Sequence, residues 1–300
     1  MQLTQRGKGL LVTLSGVTLL IPDVLALRIS GLENWNAVFW RCLLAGLVLL
    51  VILLISRRQQ GPVTALKISV TGGVLAMVIS AANIGFVLSL MYTSVANTLI
   101  ILALAPMFSA FFDRMFYQQR LAYRTWLAIL SCLIGVAILV TDDAGSGNQT
   151  GNILALMTAM LMGIEFSLMA KIPHQQIWPS LSIGYFFSAL ISALLSLLMT
   201  TSLSLADANL IAVLAMGLVI LPFSFMLISQ GPRYLPAPEV AMLMMLETVC
   251  APFLVWWVLG EDPGQYALLG GTIVVSTLIW HSALDLIHER RNSRVSPSGT

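Results

Sequence analysis

Three carboxylates lie inside long apolar stretches of this 300-residue chain. Asp23 lies in TLLIPDVLALR, Glu165 in MLMGIEFSLMAK and Glu247 in VAMLMMLETVCAPF. A carboxylate in hydrocarbon costs at least about 2.5–3.5 kcal/mol, so each is expected to face a wet cavity, pair with a cation or hold a proton. The three side chains are therefore predicted to handle protons or to bind a cationic group of a substrate. For Asp23 and Glu165 the alternative is a structural ion pair with a nearby base such as Arg28 or Lys171.

An aromatic–basic pair, Trp40 and Arg41, lies near the start of the second apolar stretch, shortly after Trp35. An arginine near the end of a span can extend its charge to the interface, and tryptophans collect there in an aromatic belt. This pattern favours an interfacial Arg41. The alternative is direct contact between Arg41 and an anionic group of a substrate.

Two asparagines supply amide groups within or at the edge of apolar stretches, Asn83 in AANIGF and Asn97 in SVANTL. Either could bind substrate, and either could bridge neighbouring helices, as polar side chains do in bilayers. Pro22, directly before Asp23, removes a backbone donor and disturbs the preceding helical turn. It predicts either a bending point beside Asp23 or a kink at a packing site.

The composition places these residues in a membrane protein. The chain is 58% hydrophobic and 9% charged, with a mean hydropathy of +0.91, whereas soluble proteins carry about 25% charged residues. Its apolar runs have the length, about 20 residues, that spans a bilayer. The sequence predicts an all-α integral membrane protein with ten transmembrane helices. The predicted spans are residues 10–29, 37–55, 68–91, 98–116, 123–141, 152–170, 181–200, 209–229, 240–259 and 266–287.

A shift of 142 residues aligns the two halves of the chain. It places Gly9 on Gly151, Asp23 on Glu165 and Tyr92 on Tyr234, among other pairs. Because each half has five spans, the second enters the membrane upside down, giving an inverted 5+5 repeat with a substrate site near its pseudo-two-fold axis. The predicted division is residues 1–141 for the first repeat, 142–151 for a linker, 152–288 for the second repeat and 289–300 for a cytoplasmic tail.

Lysine and arginine are distributed unequally between the predicted loops. With the N-terminus inside, the outer loops carry only Arg28, and the remaining basic loop residues lie on the inner side. This asymmetry predicts that both termini are cytoplasmic.

Several function classes find no support in the sequence. It contains no Walker A sequence, no G-x-S-x-G and no H-E-x-x-H, and an intramembrane enzyme would need a nucleophile with a partner at depth, where only His281 is near. The three cysteines lack metal-ligand spacing, and the net charge of +2 gives no reason to expect nucleic acid. We therefore expect no enzyme activity, no cofactor and no metal.

Two segments resemble the repeats of a known family. TSVANTLIILALAPMFSAFFDRMFYQQRL, at 93–121, and LETVCAPFLVWWVLGEDPGQYALLGG, at 246–271, are similar to the two EamA-type repeats of the drug/metabolite transporter superfamily. Trp40-Arg41 also resembles the family's aromatic-Arg pair. Gln119 replaces the family's usual glutamate, Thr248 its usual proline, and Ile21-Pro22 its usual Trp-Gly.

The resemblance implies a ten-helix bundle in a bacterial inner membrane that exports or takes up small metabolites, with a cavity lined mainly by spans 1, 3, 4, 6, 8 and 9. We therefore expect a multi-pass secondary transporter that exports amino acids or related compounds by alternating access, with proton coupling through Asp23, Glu165 or Glu247. Its partners would be the bilayer, a small-molecule substrate and protons. The predicted pathway residues are Asp23, Glu165, Glu247, Asn83, Asn97, Arg41, Trp40 and Tyr92. A passive channel, a scaffold or an uptake carrier is the alternative.

Overall fold

The computed structural model describes residues 5–32, 34–56, 66–93, 95–118, 123–140 and 149–260, together with residues 269, 272–273, 276–277 and 280. Helices dominate these residues. We number the α-helices α1 (Gln5–Leu20), α2 (Pro22–Ile29), α3 (Asn34–Ser56), α4 (Val70–Tyr92), α5 (Val95–Leu102), α6 (Ala105–Tyr117), α7 (Tyr123–Val140), α8 (Gln149–Met169), α9 (His174–Leu198), α10 (Leu210–Leu214), α11 (Leu221–Ile228) and α12 (Ala237–Leu259). A π-helical turn, Ala215–Ile220, joins α10 to α11, and a short 3-10 turn, Gly231–Arg233, precedes α12.

Within the described part of the chain, seven helical segments are long and apolar enough to cross a membrane. They are Gln5–Ile29, Asn34–Ser56, Val70–Tyr92, Gln149–Met169, His174–Leu198, Leu210–Arg233 and Ala237–Leu259. The predicted fourth span corresponds to α5 and α6, and the predicted fifth span to α7. The predicted tenth span, residues 266–287, lies mostly outside the described residues, so the total of ten helices stays a prediction.

Proline interrupts the first helical segment beside Asp23. Helix α1 ends at Leu20, Ile21 forms a turn, and α2 begins at Pro22. Proline lacks a backbone N–H and its ring collides with the carbonyl four residues earlier, so it suits the first turn of a helix and not its interior. The predicted bending point is confirmed. The break places Asp23 in the first turn of α2, where the unpaired N–H groups and the helix dipole favour a negative charge.

The same kind of break occurs twice more. The turn between α5 and α6 precedes Pro106, and the π-helical turn between α10 and α11 precedes Pro222. A π turn inserts one residue into the helical hydrogen-bond ladder and is common at functional sites.

Small residues allow close helix contact at matching places in the two halves. Gly16 of α1 lies against α11, so that a Cβ added there would lie 2.9 Å from the backbone nitrogen of Ile228. Gly85 of α4 lies against Thr158 of α8 in the same way. The first residue of each pair is separated from its counterpart by about half the chain, and the contact is made between a span of one half and a span of the other.

A second pair of contacts repeats at an interval of 142 residues. Gly9 lies against Tyr234, and Gly151 lies against Tyr92 and Thr93. The helix pairs α1–α11 and α4–α8 therefore meet at both ends through equivalent positions.

Helix α9 holds α3 and α4 in place. The Ser182 hydroxyl donates a hydrogen bond to the carbonyl of Gly46 on α3 over 3.1 Å. The Ser188 hydroxyl lies 3.3 Å from the carbonyl of Ser80 on α4. Both serines are buried. Since α3 carries Arg41 and α4 carries Asn83, these hydrogen bonds fix the relative position of two predicted site residues.

The close contact at Gly16 gives a test of the packing. We expect Gly16→Ala to destabilise the protein by about 1–3 kcal/mol, because the added methyl group has to displace the backbone of α11. Gly73→Ala is the matched control, since no atom lies within 4 Å of a Cβ added to Gly73 in α4. It should be neutral or slightly stabilising because alanine favours helix. Thermal unfolding of both purified variants in detergent measures the difference, and equal midpoints would contradict the packing described for α1 and α11.

Candidate functional site

A cavity lies where the broken helix α1–α2 meets α3, α4, α8, α11 and α12. It contains about 390 Å³ of space not filled by atoms. Both halves of the chain contribute to its wall. The apolar part of the wall consists of Leu20, Ala82, Phe86, Met162, Phe225 and Met244. The polar part consists of Asp23, Arg41, Asn83, Glu165 and Glu247, so the cavity brings together five of the eight predicted pathway residues.

Arg41, Asp23 and Asn83 form one hydrogen-bonded network. The Arg41 Nη2 donates to Asp23 Oδ2 over 2.7 Å, and its Nε donates to the same oxygen over 3.2 Å. Its Nη1 donates to Asn83 Oδ1 over 2.8 Å. The Asn83 amide nitrogen in turn donates to the carbonyl of Ile79 over 3.0 Å, which fixes the orientation of the amide. The network joins α2, α3 and α4.

The interfacial interpretation of Arg41 is wrong. The residue is 2% exposed, and the guanidinium carbon lies 5.4 Å from the centre of the Phe86 ring, in cation–π range. The physical reason is that a fully buried carboxylate, Asp23, lies within reach. Arginine is drawn inward because its planar group can bond Asp23 through two nitrogens and reach Asn83 with a third. The structural ion pair considered for Asp23 therefore exists, but its partner is Arg41 and not Arg28.

Glu165 and Glu247 have no such partner. Both are buried in the cavity wall, and neither makes a hydrogen bond or an ion pair with any residue that the structure describes. Lys171, the suggested partner of Glu165, lies instead with its ammonium group 4.7 Å from the centre of the Tyr117 ring. The second oxygen of Asp23, Oδ1, likewise has no hydrogen-bond partner among the described residues.

The charges of the cavity do not balance within the described part of its wall. Three carboxylates face one guanidinium, and that guanidinium is already bonded to Asp23. A buried carboxylate that is ionised and unpaired is costly, so it has to bind either a proton or a cation. Glu165 and Glu247 are therefore the groups at this site able to take up a cation from outside the chain.

The other predicted pathway residues lie away from the cavity. Trp40 is partly buried and its indole nitrogen donates to the carbonyl of Leu203 over 3.0 Å, which anchors the loop after α9. Tyr92 is 42% exposed at the end of α4, where its backbone lies against Gly151. The side chain of Asn97 lies outside the described residues.

Sequence reasoning missed Tyr185 of α9. It is fully buried, its ring meets that of Phe225 edge-on with centroids 6.4 Å apart, and its hydroxyl has no hydrogen-bond partner among the described residues. Phe225 forms part of the cavity wall, so Tyr185 supports that wall from behind. A polar aromatic residue within an apolar span was the available signal.

A second buried carboxylate, Asp113 of α6, was also missed. It is 1% exposed, and its Oδ1 has no hydrogen-bond partner in the described part of the chain. Nearby, the hydroxyls of Ser109 and Ser167 are hydrogen-bonded to each other at 3.1 Å, which joins α6 to α8. Asp113 is not part of the cavity wall. In the sequence it lies near the end of a predicted span, where a charge gives no signal of burial.

Nothing in the described residues indicates a metal centre. Among them, no three or more histidines, cysteines, aspartates or glutamates are grouped closely enough to hold an ion. His281 and the turn residues Gln119 and Glu261 lie outside the described residues.

Removing Arg41 should reveal how much the structure depends on its pairing with Asp23. We expect Arg41→Met to lower the free energy of unfolding by about 3–5 kcal/mol, because it leaves a buried carboxylate unpaired. The double variant Asp23→Asn/Arg41→Met should recover most of that loss. Arg28→Met is the matched control, since Arg28 lies exposed at the end of α2. Chemical unfolding in detergent gives the four values, and equal small losses for Arg41→Met and Arg28→Met would contradict the buried pair.

Comparison with known proteins agrees with this architecture. The family model described as the EamA-like transporter family matches residues 10–141 and again residues 149–282. The protein named "Uncharacterized transporter YdfC" of Bacillus subtilis (strain 168) is 24% identical over 179 residues, and the alignment spans 57% of this chain and 57% of that protein. A crystal structure of another protein superposes with a TM-score of 0.76 at 16% identity, covering 93% of this chain and 98% of that chain, which shows a shared fold. This chain is therefore a multi-pass membrane protein that belongs to the EamA-like transporter family.

Proposed function

We propose that this protein is a secondary transporter that moves small organic metabolites across the membrane by alternating access and exchanges them for protons at Glu165 and Glu247. The observation that carries the proposal is the cavity itself. It holds two buried carboxylates without a partner among the described residues, and its wall is built from both halves of the chain. Family membership and the apolar helices support the membrane location of this cavity.

We also propose that residues 1–141 and 152–288 form an inverted pair of repeats around the cavity. The contacts of Gly9 with Tyr234 and of Gly151 with Tyr92 support it, because the two pairs differ by 142 residues at both positions. Two matches to one family model support it as well. In transporters of this architecture, rocking of one repeat against the other opens the site to each side in turn.

The breaks in the helices provide places for that motion. The interruptions at Ile21, before Pro106 and in the π turn before Pro222 lack part of the regular hydrogen-bond ladder. Helix bending at such points disturbs fewer backbone hydrogen bonds than bending elsewhere. The first of these breaks lies directly beside Asp23, so a change of angle there would alter the cavity wall.

The finer features of transport are part of the same proposal. Both termini lie in the cytoplasm of a cell with this protein in its inner membrane, as the distribution of basic residues predicts. The direction is export, and the cargo is an amino acid or a related compound. An amine group on the cargo would supply the cation that Glu165 and Glu247 lack.

Proton exchange at the two glutamates can be measured in proteoliposomes that contain a trapped pH-sensitive dye. A mixture of the common amino acids and the amines formed by their decarboxylation is added outside. We expect the mixture to drive proton movement with the unmodified protein, and Glu165→Gln and Glu247→Gln to reduce its rate at least about tenfold, because glutamine does not titrate. Asp207→Asn, in an exposed loop after α9, should behave like the unmodified protein.

Two results of this experiment would contradict proton coupling. One is equal proton movement in both glutamine variants and the unmodified protein. The other is no solute-dependent proton movement at all. Counterflow then separates a carrier from a channel, because a labelled solute leaves a carrier faster when unlabelled solute waits outside, whereas a channel lacks this acceleration.

A further inference from the structure

We propose that the cavity selects organic amines that lack a carboxylate, with a positively charged amine between Glu165 and Glu247 and an apolar body against the methionine and aromatic side chains. This proposal rests on the transport function proposed above and narrows its cargo. It separates amines from amino acids, which carry the same apolar bodies and an additional negative charge.

The two glutamates provide the attraction for the cation. Both are buried in the wall of one cavity, and neither is bonded to a described residue. A cation that enters satisfies a carboxylate that otherwise has to hold a proton. Ion pairs of this kind are stronger in a site shielded from water, because the effective dielectric constant there is low.

The described wall offers no free cation for a carboxylate of the cargo. Arg41 is its one basic residue, and Arg41 donates to Asp23 through Nε and Nη2 and to Asn83 through Nη1. A cargo carboxylate would have to displace Asp23 or Asn83 to bind it well. It would also lie in the same small cavity as Glu165 and Glu247, where like charges repel each other.

The two halves of the chain explain why Glu165 stays unpaired. Asp23 has Arg41 and Asn83 beside it in the first half. The positions 142 residues after Arg41 and Asn83 are occupied by Ile183 and Phe225. The second half therefore replaces the cation and the amide with apolar side chains, so the cation for Glu165 has to come from a ligand.

The remaining wall fits a small apolar body. Its volume of about 390 Å³ is at the lower end of the usual range for small-molecule sites, about 300–1,000 Å³. Met162 and Met244 contribute flexible thioethers that adapt to different shapes. Phe225 contributes an aromatic ring, which attracts a cation as well as an apolar group.

The test uses ligands that differ only at the charged group. Isoamylamine, phenethylamine and tryptamine are each compared with the amino acid from which they derive, leucine, phenylalanine or tryptophan, and with the alcohol of the same skeleton. Binding to the purified full-length protein in detergent is measured by ligand-dependent thermal stabilisation and by calorimetry. We expect at least one amine to bind at least about tenfold more tightly than both its amino acid and its alcohol.

Several results would overturn this cargo class. They are equal or tighter binding of the amino acids, equal binding of the alcohols, or no binding of any of the three amines. If these occur while the full solute mixture still drives proton movement in proteoliposomes, the transport proposal stands and only the cargo class is wrong. If the mixture drives none, the proposed function fails.

Glutamine variants locate the amine within the cavity. Glu165→Gln and Glu247→Gln should each weaken amine binding at least about tenfold and leave the weak binding of the alcohols unchanged, because only the charged group is affected. Asp207→Asn, outside the cavity, should bind amines like the unmodified protein. Unchanged amine affinity in both glutamine variants would overturn the assignment. If a variant does not fold, the comparison of amine, amino acid and alcohol on the unmodified protein still decides the question.

Discussion

The buried ion pair between Arg41 and Asp23 is the constraint on which the rest of the site depends. Neither charge is stable alone in an apolar interior, so each holds the other in place. The pair needs the break at Ile21, because that break puts Asp23 in the first turn of α2, where the backbone favours a negative charge. It also needs Asn83, whose amide oxygen accepts from the remaining terminal nitrogen of the guanidinium. Three helices are thereby fixed around one edge of the cavity.

Fixing this edge leaves the chemistry of the opposite edge open. In the first half, a carboxylate, a guanidinium and an amide satisfy one another. In the second half, Glu165 and Glu247 face apolar neighbours such as Phe225. Two halves with matching helix contacts therefore present unlike surfaces to the same cavity. The first surface is rigid and nearly neutral, and the second is free to bind.

The sequence predicted much of the fold because bilayer-spanning helices depend on local composition and length. It also predicted that Asp23, Glu165 and Glu247 would share a site, since buried carboxylates are too costly to leave on a lipid-facing surface. It did not predict the inward direction of Arg41. Trp40 beside it is typical of an interface, and the carboxylate that draws Arg41 inward lies 18 residues away on a different helix. Tyr185 and Asp113 were missed for a related reason, since their burial arises from the packing of helices distant in sequence.

The two unpaired glutamates also bear on why exchange could be obligatory under the proposed mechanism. A conformational change that carried both glutamates ionised and empty through an apolar environment would incur the cost of buried, unpaired charge. With protons bound, or with a cation bound, that cost is removed. The two loaded forms would then move readily and the empty, ionised form would not. Coupling would thus follow from the electrostatics of the second half alone, while the ion pair of the first half keeps a constant charge throughout the cycle.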